Sequence, residues 1–196
     1  AANLTLDADA VLAAIAQGRQ RVVAALFLAV QQQAHADVLA RLMVEQRAAI
    51  DRHQVDHRAA GAQVVVSARK PQGVKDWAAK DAGVQWQEMD VSDPDQVKAT
   101  ARALLAQGPI DLVVYAAGYY KAQRATDIDL QALLQHDTVN YQGALQVISA
   151  VLPSMLSRQS GHISVLSSVA GWRGLPNGLA YGPTKAALTH LAEKHA

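Results

Sequence analysis

The rhythm of hydrophobic and polar positions changes near Gly61. Before it, Val38, Leu39, Leu42, Met43, Ala49 and Ile50 recur at helical spacing, with Asp37, Arg41, Glu45, Arg47 and Asp51 between them as a polar face. This spacing predicts a helix from about Gln33 to about Arg58, ended by Gly61, and Asp7–Gln17 reads as a shorter one. Residues 1–60 hold one glycine, Gly18, and no proline, so this front segment is expected to be helix-rich. Within it, Arg21–Val30 reads either as a first strand or as part of a long helix, and periodicity alone does not separate the two.

After Gly61, strand-like and helical runs alternate. Gln63–Ser67, Val84–Met89, Ile110–Tyr115 and His162–Leu166 predict strands. Ser92–Gln107 predicts a helix capped by Ser92, with Asp95 completing a capping box and Val97, Ala101, Leu104 and Leu105 as its apolar face. Leu130–Met155 predicts one long helix, and another begins around Tyr181 after a loop containing Gly171, Gly174, Pro176 and Gly178. Continuous apolar strands separated by helices predict an α/β fold with a doubly wound parallel sheet covered on both faces. The expected organisation is a helix-rich segment, 1–60, followed by a domain over 61–196.

Composition narrows the function classes. The 196 residues carry 18 Lys+Arg and 17 Asp+Glu, a net charge of +1, which argues against an electrostatic nucleic-acid binder. With no cysteine there is no disulfide, thiolate metal site or cysteine nucleophile. The apolar run Val22–Val30 is nine residues long, too short to span a bilayer, so no membrane partner is expected. A cytoplasmic setting is expected. His53 and His57 are one turn apart but lack a third ligand in a known pattern, so no metal is expected.

In a parallel α/β sheet, ligands bind at the carboxyl ends of the strands. Asp90-Val91, Ala116-Ala117-Gly118 and Ser167-Ser168 each end a predicted strand. Tyr181 and Lys185 are four apart and share a helix face. An ammonium near a phenol favours phenolate, and a phenol tuned in this way exchanges a proton with an alcohol or carbonyl oxygen. Ser168 is placed to hydrogen-bond the same oxygen. The set suits hydride transfer with a nicotinamide.

These residues resemble the short-chain dehydrogenase/reductase family. Gly61-Ala62 with Arg69, Asp90-Val91, Ala116–Gly118, Asn140, Ser168 and Tyr181-Gly-Pro-Thr-Lys185 appear in the family's order, with Ser168 and Tyr181 13 positions apart. The resemblance covers about Gly61–Glu193 and implies a Rossmann-like fold. It implies Tyr181 as general acid/base, Lys185 on the nicotinamide ribose and lowering the Tyr181 pKa, and Ser168 polarising the carbonyl. Asn140 would hold a water that links Lys185 to solvent. Asp90 and Val91 would meet the adenine, and Ala116, Ala117 and Gly118 the adenosine ribose. Arg69, with no acid at Ser67 or Ala68, favours a 2′-phosphate, hence NADP(H) over NAD(H). The implied partners are a small carbonyl or alcohol substrate and further copies of the chain, as a dimer or tetramer.

The sequence departs from the family in three places. The glycine-rich turn after the first strand is absent: Gln31-Gln32-Gln33 follows Val30, and from there no glycine occurs until Gly61. Ala116 stands where the family has Asn. Ala196 follows Lys185 closely, so the Rossmann-like domain is expected to be truncated. Tyr119, Tyr120, Trp172 and Leu175 fall near the expected substrate mouth. The missing glycine turn also motivates an alternative, a non-catalytic Rossmann-like binding or interaction protein, or an incomplete chain.

Overall fold

A computed structural model describes residues 3–5, 21–25, 28–30, 63–69 and 84–193. The predicted helices Asp7–Gln17 and Gln33–Arg58, and the pair His53 and His57, lie outside the described residues.

The elements run in the order β1 (Asn3–Thr5), β2 (Arg21–Ala25), β3 (Leu28–Val30), β4 (Gln63–Ala68), β5 (Val84–Glu88), α1 (Pro94–Ala106), β6 (Leu112–Tyr115), β7 (Gly118–Tyr120), α2 (Leu130–His136), a π-helical stretch (Asp137–Gln142), α3 (Gly143–Ser157), β8 (His162–Val165), a 3-10 turn (Val169–Gly171) and α4 (Tyr181–Glu193). Six strands form one sheet in the order β1-β8-β6-β2-β4-β5, with every pairing parallel. The doubly wound parallel sheet is therefore present. Continuous apolar runs build it because a strand covered on both faces has no polar side to present. Val64, Val65 and Val66 of β4 are all buried, as are Leu112, Val113 and Tyr115 of β6. One core joins these strands to Val97, Ala101 and Leu104 of α1, Val147, Val151 and Met155 of α3, and Leu188 and Ala192 of α4.

β2 resolves the ambiguity at Arg21–Val30 in favour of strand. It lies at the centre of the sheet, paired with β4 on one side and β6 on the other. The strand order reverses here, since β4 and β5 extend one way and β6 and β8 the other. Beyond the sheet edge, β3 pairs with β7 in a short parallel ribbon. The register continues unbroken: Ala25 faces Tyr115, and three residues on, Leu28 faces Gly118. The two central strands thus run on together past the sheet. Neither the ribbon nor β1, three residues long, is announced by the sequence pattern.

Two helix boundaries differ from expectation. α1 begins at Pro94, and Asp93 caps it: Asp93 Oδ1 accepts from the Asp95 and Gln96 N–H groups at 3.0 and 3.1 Å, and Gln96 Nε2 donates to Oδ2 at 2.8 Å. The cause is Pro94, which holds the residue before it in extended backbone and takes the first helical position itself. Ser92 serves Asp90 instead. The single helix expected over Leu130–Met155 is two helices joined by the π-helical stretch.

Candidate active site

The carboxyl ends of the strands bring the candidate residues to one edge of the sheet. Arg69 follows β4 and Asp90 follows β5, and their side chains meet, Arg69 Nη1 standing 3.9 Å from Asp90 Oδ2. Both are about one-third exposed. Asp90 Oδ1 accepts from the Ser92 N–H at 2.9 Å and the Ser92 hydroxyl at 2.6 Å, and the Asp90 N–H donates to Gln96 Oε1 at 3.0 Å. Its neighbour Val91 is buried in the core. Ala116, Ala117 and Gly118 link β6 to β7, next to the point where the strand order reverses.

Ser168 follows β8 and Tyr181 opens α4. The Ser168 side chain, near the phenol, draws the Tyr181 pKa down. Burial acts more strongly, and Tyr120 adds to it, so the phenol lies above its ordinary value overall. The expected depression by Lys185 is not what the geometry gives. Lys185 Nζ lies 5.6 Å from the centre of the Tyr181 ring and donates to the Leu166 carbonyl at 2.7 Å. Lys185 is itself buried, and desolvation lowers its pKa to about 8.

The helix that carries Tyr181 and Lys185 is seated by close backbone contacts. A Cβ on Gly171 would come within 2.8 Å of the Lys185 carbonyl carbon and the Ala186 nitrogen, and one on Gly182 within 2.8 Å of the Ala170 oxygen. The 3-10 turn after Ser168 therefore packs directly on the first turns of α4. Ser167 adds a hydroxyl bond to the Lys185 carbonyl at 2.9 Å.

Asn140 is fully buried in the π-helical stretch. Its Oδ1 accepts from the Tyr119 N–H at 2.6 Å, and its Nδ2 donates to the Tyr119 carbonyl at 3.1 Å and to Thr184 Oγ1 at 3.0 Å. The side chain thus clamps β7 to α4, one residue from Lys185. These three bonds leave one Oδ1 lone pair of the amide open.

Sequence reasoning missed three contributors. Tyr115 sends its hydroxyl to the Val139 carbonyl at 2.5 Å, bracing the π-helical stretch from β6. It does so across Gly143, where a Cβ would meet the Tyr115 oxygen at 2.5 Å. Ala116 removes the expected Asn, and the neighbouring Tyr115 ties the strand to the helix. His136 is buried and shares an aromatic cluster with the site: its ring lies 4.8 Å from Tyr119, 6.3 Å from Tyr120 and 6.5 Å from Tyr181, and Tyr120 stands edge-on to Tyr181 at 5.2 Å. Thr184 anchors Asn140. Of the rings in this cluster, the sequence marks Tyr119, Tyr120 and Tyr181 as site features but not His136. Trp172 is well exposed, and Leu175 and Leu179 are partly so.

The donor set fits the two ends of a dinucleotide. Lys185 is an almost fully buried ammonium with one protein carbonyl on it, so it retains donors for a ribose diol. At the other end, a cation and a carboxylate stand side by side at the tips of adjacent strands. The positions between, where phosphates would pass, follow Val30 and lie outside the described residues.

A family model described as short chain dehydrogenase matches residues 55–196. The 2-keto-3-deoxy-L-fuconate dehydrogenase of Xanthomonas campestris is 33% identical over 135 residues, 68% of this chain and 44% of that protein. A short-chain dehydrogenase from Streptomyces avermitilis superposes with a TM-score of 0.70 at 25% identity, over 89% of this chain and 59% of that one. ElxO with NADP bound superposes with a TM-score of 0.66 over 88% of this chain and 64% of that one, and at 18% identity the likeness is one of fold. The chain spans about half the length of the curated relatives it matches.

Proposed function

The chain belongs to the short chain dehydrogenase family, and on that premise we propose that it interconverts a carbonyl compound and a secondary alcohol, using NADP(H) in preference to NAD(H). The observation that carries this reading is that the end of β8 and the start of α4 bring Ser168, Tyr181 and a buried Lys185 together. A bound nicotinamide supplies the hydride in reduction and accepts it in oxidation. Tyr181 gives its phenolic proton to the carbonyl oxygen, and Ser168 donates a hydrogen bond to that oxygen as negative charge gathers on it. Lys185, buried beside the ring and with donors left over, holds the nicotinamide ribose. Asn140 holds β7 and α4 in register, so that the phenol keeps its place. Arg69 is the group for a 2′-phosphate, and its partner Asp90 positions it. The chain works as a dimer or tetramer in the cytoplasm on a small-molecule substrate. Among the described residues, no helix is long and apolar enough to cross a membrane.

Titration with NADPH, following nicotinamide fluorescence with NADH alongside, tests the cofactor half. Saturable binding that favours NADPH is expected, and Arg69→Gln should narrow the gap between the two. A folded sample that binds neither nucleotide overturns the reading. Tyr181→Phe tests the chemistry: turnover of a carbonyl panel should fall about 10²–10⁴-fold, the usual contribution of a positioned acid.

A further inference from the structure

His136 and Asn140 are four residues apart, and both reach across to the strand β7. Asn140 binds the N–H and the carbonyl of Tyr119, and His136 Nε2 accepts the Lys121 N–H at 3.1 Å. The residue between these two fixed points is Tyr120. We propose that His136 and Tyr120 are positioning residues for the Tyr181 phenol: His136 fixes the end of β7, and Tyr120 carries that position to the Tyr181 ring. The proposal rests on the reductase reading for the role of Tyr181.

Packing alone does not ask for a histidine at position 136. The side chain is 1% exposed, and a buried imidazole is tolerated only when its nitrogens are bonded. Here both are. Nδ1 lies 2.6 Å from the Ala132 carbonyl, so it carries the proton, and Nε2 is left as an acceptor. An aliphatic residue would fill the same space and leave the Lys121 N–H without this acceptor.

The rings pass the position on. Tyr120 stands edge-on to Tyr181, with ring centres 5.2 Å apart and planes at 87°. His136 stands edge-on to Tyr120 at 6.3 Å and lies 6.5 Å from Tyr181, so the three rings close a triangle. Edge-to-face packing fixes the direction of a ring as well as its distance, and the reacting oxygen of Tyr181 sits on its rim. Tyr120 also meets the stretch that leads into α4. Its hydroxyl is 3.5 Å from the Asn177 carbonyl, which accepts the Gln123 N–H at 3.0 Å, and the next carbonyl, that of Gly178, accepts the Gly182 N–H at 3.1 Å. Tyr120 thus touches both the Tyr181 ring and the segment that delivers it.

The same ring shields the phenol from water. Burial is the largest cause lifting the Tyr181 pKa, and Tyr120 is one of the groups that cover it. Ser168, Lys185 and His136 are the other polar groups near the ring, and all three remain when Tyr120 is replaced.

The test uses the full chain and two changes at one position, Tyr120→Phe, which keeps the ring, and Tyr120→Leu, which removes it. Tyr120→Leu should lower kcat for carbonyl reduction roughly tenfold or more, the scale on which misplacing a reacting group acts, with the NADPH Kd unchanged. Tyr120→Phe should restore most of that rate. NMR of the chain labelled at tyrosine Cζ follows the phenol directly. Its titration should move to lower pH in Tyr120→Leu and stay in place in Tyr120→Phe, because less burial favours the phenolate. His136→Leu should lower kcat in the same way, and His136→Gln, which keeps an acceptor for the Lys121 N–H, should recover part of it. If His136→Leu does not fold, the Tyr120 pair decides. An unchanged kcat and an unmoved Tyr181 titration in Tyr120→Leu overturn the proposal. So does a rate that Tyr120→Phe fails to restore, or an equal loss of NADPH affinity. If the parent chain turns over no carbonyl, the reductase reading falls, and the Tyr181 titration alone decides whether Tyr120 holds the phenol.

Discussion

Both ring nitrogens of His136 are engaged. Nδ1 is 2.6 Å from the Ala132 carbonyl, one turn back in the same helix, and Nε2 accepts the Lys121 N–H at 3.1 Å. A carbonyl requires a donor and an N–H requires an acceptor, so the ring is neutral with its proton on Nδ1. A second proton would set Nε2–H against Lys121 N–H in a buried site, and burial accordingly lowers the His136 pKa. The sign for stability follows. Below about pH 6.5, the ordinary histidine value, the unfolded chain binds a proton that the fold refuses, so stability falls as the pH falls. Urea midpoints measured from pH 7.5 to 5 should decline, and His136→Gln, which offers an amide in place of the ring, should flatten that limb. Tyr181 acts in the opposite range. Its pKa is raised, so the neutral phenol that reduction needs persists through neutral pH, while oxidation, which needs phenolate, should quicken as the pH rises. Initial rates in both directions across pH 6–10 check this; reduction that quickens with alkali would contradict it.

At the scale of elements, the π-helical stretch decides where Asn140 points. A π turn inserts one residue into the helix and frees a carbonyl from its usual partner. Tyr115 caps the Val139 carbonyl in that stretch, and Gly143 leaves room for it to do so. Tyr115→Phe should cost about 1–3 kcal/mol, the range for stranding a buried polar group, and should loosen Asn140 from Tyr119. Thermal melting reads the first effect and amide exchange at Tyr119 the second. Gly171→Ala should act differently. Its Cβ would strike the α4 backbone at Lys185 and Ala186, so turnover should fall more than melting temperature does. None of this was legible in the sequence. Residues 130–155 keep an apolar rhythm that a continuous helix satisfies, and one inserted residue barely disturbs it. Ser168, Tyr181 and Lys185 were legible, because strand ends and a four-residue helical repeat fix their neighbourhood from pattern alone. The pKa of Tyr181 was not, since it depends on how deeply the ring is buried and on Tyr120, which folding brings beside it.

For the whole molecule, the change of rhythm near Gly61 predicts a helix-rich front segment, 1–60, that replaces or distorts the first βα unit of the sheet domain. The sheet does not divide there. β2 comes from residues 21–25 and sits between β4 and β6, while β1, from residues 3–5, pairs with β8. The apolar run Val22–Val30 left strand and helix equally open because a strand flanked on both sides carries no alternation to announce it. Removing residues 1–60 would therefore expose facing edges of β4 over Gln63–Val66 and of β6 over Leu112–Tyr115, each a row of unpaired N–H and C=O groups beside buried valines. The remaining elements would retain α1, α3 and α4 but lose the strand that joins the two halves of the sheet. The truncated chain should fail to give dispersed amide spectra or a cooperative melt, and should aggregate, whereas a separable appendage would leave both intact. A narrower change makes the same test without shortening the chain. Val23 pairs with Val65 on one side and Val113 on the other. Val23→Pro deletes a central N–H and introduces a ring that interior strands do not accommodate. It should abolish the cooperative transition, while Val23→Ile, equally β-branched, should keep it. If Val23→Pro melts like the parent chain, β2 is not the strand that holds the crevice together, and the cofactor reading loses the scaffold on which Arg69, Asp90 and Tyr181 come to one edge.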